Sequence, residues 1–142
     1  MKTKIQSFLA ALFLLAGVVN AQCVMTSQYG SATAPTTGSV NFSTCSFFGE
    51  YSPLNSAAAA TTYTCSITNS GYVTITQGSA TGPVVAFGAS PLTWSTTVAG
   101  TYYAHWAQNA ACATSVACQT TTVAYVGPSA ACTNPAAGGT AQ

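Results

Sequence analysis

After Lys4 the sequence contains no lysine and no arginine, and Glu50 is its only acidic residue. His105 is its only histidine. A fold built from this chain cannot rest on ion pairs, so apolar burial, hydrogen bonds and covalent links must hold it. Its surface draws solubility from Thr, Ser, Asn and Gln. Phosphate contacts need cationic side chains, which excludes nucleic acid as a partner. Glycoside hydrolysis by a carboxylate pair is excluded by the single acid. A nearly uncharged surface also lacks the repulsion that keeps copies apart, which favours self-association.

Both lysines belong to an N-terminal export pattern. Lys2 and Lys4 precede an apolar run over Ile5–Val19, and Val19-Asn20-Ala21 offers a cleavage site after Ala21. Residues 1–21 therefore read as a secretory signal peptide, with an apolar part too short for a membrane span. Gln22 directly before Cys23 speaks against a lipid anchor. The mature protein is expected to be secreted, extracellular or on the cell surface, with no membrane span. All six cysteines, Cys23, Cys45, Cys65, Cys112, Cys118 and Cys132, lie beyond the cut. An even count on an exported chain reads as up to three disulfides, which offset a core with only two mature leucines, Leu54 and Leu92. No CxxC-like pair suggests zinc, and no cofactor is expected.

Residues 22–40 are polar and turn-rich and read as a lead-in able to serve as an exchanged strand. The domain is placed at 41–126. Strands are expected over Phe42–Phe48, Thr61–Thr68, Tyr72–Thr76, Val84–Phe87, Leu92–Val98, Thr101–Ala107 and Cys118–Val126, with a turn at Pro53–Asn55. In Tyr72–Thr76 the alternation sends Val73 and Ile75 one way and Thr74 and Thr76 the other. Residues 127–142 form an Ala/Gly/Pro-rich tail. Short strands joined by Gly, Pro and Asn turns indicate an all-β, antiparallel sandwich.

The strings Gly49-Glu50-Tyr51, Tyr72-Val73-Thr74-Ile75, Pro83-Val84-Val85-Ala86-Phe87-Gly88, Pro91-Leu92-Thr93-Trp94 and Cys112…Cys118-Gln119-Thr120-Thr121 occur in that order. Together they resemble a β-sandwich module repeated in secreted proteins of Bacteroidetes and related to CUB-like and pre-peptidase C-terminal domains. The resemblance covers roughly residues 40–126. It implies a jelly-roll-like sandwich with an accessory, adhesive or structural role, and it supports a Cys112–Cys118 bridge. Cys23–Cys45 and Cys65–Cys132 are then the remaining pairs, among the fifteen connectivities six cysteines allow. Bridging of Cys23 or Cys132 to a neighbouring subunit is the alternative. Asn69-Ser70-Gly71 and Gln119 stand where the family often has Asp and Arg, which weakens any charge-based ligand or calcium site.

A Ser-His-Glu set is formally available from His105 and Glu50, but no Gly-x-Ser-x-Gly elbow accompanies it. Glu50, an acid with no cationic partner, is either solvated or held by backbone N–H groups and hydroxyls; the structural reading is favoured, with a single ligand of a weak calcium site as the alternative. Trp106 is expected in the core, and His105 and Tyr103 on the surface or at an interface. Glu50, Tyr51, Tyr103 and His105 form the expected contact surface. The function expected is that of a non-enzymatic extracellular structural or adhesive protein, including a self-assembling fibre subunit. Its partners would be itself or other surface proteins. A carbohydrate-binding accessory module, with glycans as ligands, is the alternative.

Overall fold

The computed structural model describes residues 22–130 and is all-β there. The expected signal peptide, most of the tail and Cys132 lie outside the described residues. Ten strands run in chain order: β1 (Ser27–Gln28), β2 (Ala32–Thr33), β3 (Ser39–Phe48), β4 (Glu50–Ala57), β5 (Thr61–Ile67), β6 (Tyr72–Gln77), β7 (Val84–Ala89), β8 (Leu92–Ser95), β9 (Gly100–Ala107) and β10 (Ser115–Pro128). They form two sheets. One is six-stranded, ordered β1-β4-β9-β6-β7 with β2 also on β4; the other is four-stranded, ordered β3-β10-β5-β8. The sheets enclose one core, as a sandwich does.

Period-two alternation built that core. Tyr63, Cys65 and Ile67 of β5 point inward, as do Val73 and Ile75 of β6 and Tyr102, Ala104 and Trp106 of β9. Aromatic rings fill its width: Trp94 lies 4.9 Å from Tyr102 and 5.7 Å from Tyr63, and Trp106 meets Phe42 edge-on at 5.5 Å. Such pairs add to simple area burial, which suits a core short of leucine. Trp106 Nε1 donates to Ser52 Oγ at 3.0 Å, so the buried indole keeps a partner.

The lead-in is part of the fold rather than a loose arm. β1 and β2 add in parallel to β4 of their own chain, with Ser27 opposite Glu50 and Ala32 opposite Leu54. Between them the pairing is interrupted opposite Pro53. Gly30 bends there at φ 67°, where a Cβ would lie 2.6 Å from the Phe42 carbonyl oxygen, so only glycine fits. Pro53–Asn55, expected as a turn, continues β4, with Pro53 opposite Tyr103 and Leu54 opposite Tyr102. The sandwich thus begins before residue 41 and runs past 126, because β10 continues to Pro128 opposite Thr61.

Two of the expected disulfides, Cys112–Cys118 and Cys23–Cys45, are not the ones formed. Cys23 pairs with Cys112, and Cys45 with Cys118, at Cα–Cα distances of 5.3 and 4.3 Å. Cys112 lies in the loop after β9, against the outer face of the six-stranded sheet. Cys118 lies in β10, beside β3 and Cys45, in the other sheet. Only five residues of chain lie between Cys112 and Cys118, but they cross from one layer to the other. The Cys65 thiol is fully buried, has no disulfide partner among the described residues, and accepts from Trp94 Nε1 at 3.4 Å. Burial pushes it up to about 12, against a small opposing effect of that hydrogen bond. Its expected partner, Cys132, lies outside the described residues.

Candidate functional site

Three of the four expected contact residues share one face. Tyr51 on β4 stands opposite His105 on β9, with ring centroids 5.4 Å apart, and Tyr103 meets Tyr51 edge-on at 5.9 Å. Glu50 points elsewhere, into a cleft of about 570 Å³ lined by Ser27, Phe47, Phe48, Thr114 and Val116. There its Oε2 accepts from the Phe47 N–H at 2.8 Å. The acid is therefore held by backbone, as expected, and it covers an amide of the edge strand β3.

His105 corrects the sequence reading, because it is fully buried. Its side chain leaves the outer face of the six-stranded sheet, but residues 23–25 lie across that face as a strap. The Met25 N–H donates to Nδ1 at 2.9 Å, and the Cys23 N–H donates to Thr74 Oγ1 at 3.0 Å. The neutral ring then carries its proton on Nε2, 3.1 Å from Thr76 Oγ1, and Thr76 donates to the Ser79 carbonyl at 2.8 Å. Thr74 and Thr76 are buried with it, although their alternation reads as solvent-facing. Met25, Ala107, Tyr51, Tyr72 and the Cys23–Cys112 bridge form a second small apolar cluster over this face. Burial lowers His105 from its usual 6.5 to about 4, partly offset by backbone hydrogen bonds.

This geometry constrains the chemistry. Both ring nitrogens of His105 are engaged by Met25 and Thr76, and Glu50 is committed to Phe47. The two titratable groups are not brought together. Among the described residues no three His, Cys, Asp or Glu side chains are placed to share a metal ion.

The outer face of the four-stranded sheet uses hydroxyls where other proteins use ion pairs. Thr62 meets Ser95 at 2.9 Å, Thr64 meets Thr93 at 2.8 Å, and Thr122 donates to Asn41 at 2.9 Å. Apolar side chains also reach the surface, in both sheets and the loops. Val85, Val98, Val116 and Val126 are exposed, Val116 to 84%.

The sheet edges differ in how they are closed. On β3 the Phe47 N–H is taken by Glu50, the Cys45 N–H by Ser43 Oγ, and the Phe42 carbonyl by the Ser31 N–H. β7 closes the opposite side of the six-stranded sheet and has β6 as its strand neighbour. Sequence reading placed β7 but could not show that it is an edge. No protein-family description, curated protein or solved structure matches this chain.

Proposed function

We propose that this protein is a non-enzymatic structural or adhesive component of the extracellular surface that works by protein–protein contact, including contact with its own copies. The observation that carries the reading is the combination of an uncharged exterior with exposed valines and an open strand edge. Such a surface offers hydroxyls, apolar side chains and backbone hydrogen-bonding groups, and it offers few charges to steer or repel a partner. Two disulfides suit an oxidising compartment outside the cell, and the export pattern at residues 1–21 supports the same location. The resemblance to secreted Bacteroidetes sandwich modules adds an adhesive or accessory role. The engaged nitrogens of His105 weigh against a catalytic role for the only imidazole.

A carbohydrate-binding module draws on Tyr51 and Tyr103. These rings stand edge to face at 62°, not side by side in a plane, so they form a poorer platform for a flat sugar face. Immunogold labelling of producing cells, with sedimentation and negative-stain microscopy of the mature protein, tests the proposal. Label on the outer surface and concentration-dependent assemblies are expected. Monodisperse monomers up to millimolar concentration, with no capture of other surface proteins, would overturn it. Retention on a polysaccharide that is lost in Tyr103→Ala would favour the glycan reading instead.

A further inference from the structure

We propose that β7 pairs with β7 of a second copy, antiparallel about a two-fold axis, so that two six-stranded sheets become one continuous sheet in a closed dimer. The inference rests on the self-association reading above and names its surface.

An edge strand exposes a row of unpaired N–H and C=O groups, and proteins guard such rows with brevity, proline, charge, bulges or a covering segment. Three edges here are guarded. β1 and β2 are two residues each, β8 is four, and on β3 the Phe47 and Cys45 N–H groups and the Phe42 carbonyl are taken by Glu50, Ser43 and Ser31. β7 is different. Its six residues, Val84-Val85-Ala86-Phe87-Gly88-Ala89, hold no charge and no proline. Among the described residues, no hydrogen bond reaches its outer edge. A bulge at Val85 irregularises one end, which leaves Ala86–Ala89 in plain register with β6.

The edge also specifies its occupant. Pro83 and Pro91 flank the strand and bound the row of donors, so it accepts a short extended segment. The segment must tolerate an uncharged apolar strand, and a second β7 does so with no like-charge clash. Antiparallel pairing about a two-fold matches the strand to itself over its own length. Such an isologous contact consumes both open edges at once. A fibre would need a second open edge on each molecule, whereas β1, β2 and β8 are shorter than β7 and β3 is capped at Phe42, Cys45 and Phe47. Assembly by this route stops at two.

Sedimentation velocity of the disulfide-intact mature chain, from micromolar to millimolar concentration, tests the proposal. A reversible monomer–dimer equilibrium is expected. Val85→Lys and Ala89→Lys place cations on exposed edge positions, and each should weaken association by roughly tenfold or more without lowering the thermal midpoint. Val126→Lys, on the other sheet, should leave association unchanged. Should either edge variant fold poorly, amide exchange in the unmodified protein decides: Ala86–Ala89 should exchange more slowly as concentration rises. Association that survives both edge variants, or that leaves β7 exchange unchanged, overturns the β7 contact while the self-association reading stands. Monomers at every concentration overturn both.

Discussion

His105 is the residue on which the outer face of the six-stranded sheet is most exposed to pH. No acidic or basic side chain stands among its contacts, which include the Met25 and Ala80 backbone, Thr76 and the Tyr51 ring. A proton on Nδ1 would have to displace the Met25 N–H. In the folded chain the ring titrates near 4, against its ordinary 6.5. Between those values the unfolded chain binds the proton and the folded chain does not. The contribution is therefore whole above about pH 6.5 and is lost as pH falls toward 4 and below. The loss amounts to roughly 3 kcal/mol in full. Urea unfolding at pH 7.5 and 4.5 should show this decline, and His105→Gln should flatten it. An equally steep decline in His105→Gln would place the effect elsewhere. The burial of His105 was not legible in the sequence. Alternation on β9 correctly separated it from Trp106, but the side of a sheet facing away from the core is wet only if nothing covers it. The cover here comes from Met25, eighty residues earlier.

At the scale of elements, the strap over residues 23–25 depends on one covalent link. Replacing both Cys23 and Cys112 with Ser should cost about 2–4 kcal/mol, because the link closes a long loop. It should also let the strap lift, so that His105 becomes reactive to diethyl pyrocarbonate in the native state. Full protection of His105 in that variant would show that the Met25 and Cys23 hydrogen bonds hold the strap unaided. The strands themselves were largely legible. β5, β6, β7 and β9 fall within two residues of their expected spans, since β-branched and aromatic alternation between Gly and Asn turns is a local signal. β4 was missed, because Pro53 reads as a turn wherever its missing N–H would break a ladder. Here the break falls between β1 and β2, where the neighbouring chain already bends at Gly30.

For the whole molecule, scarcity of charge is the governing condition. Hydroxyl pairs, buried rings and two disulfides replace ion pairs, and no buried side-chain polar atom among the described residues lacks a partner. Screening has almost nothing to act on. The thermal midpoint at pH 7.5 should shift by less than about 2 °C between low salt and about 0.5 M NaCl. A larger shift would reveal an electrostatic contribution that the side chains do not account for.

Composition and short-range pattern were enough to indicate the all-β class, most strands and, for residues 22–130, a fold that cannot rest on ion pairs. These follow from what each residue can do beside its immediate neighbours. The cysteine pairing, the burial of His105 and the identity of the open edge came only with the assembled sheets. Each depends on groups far apart in the chain: 89 and 73 residues for the bridges, 80 for the Met25–His105 hydrogen bond. Alternation tells which way a side chain leaves its strand, and it is silent on what the rest of the chain lays against it.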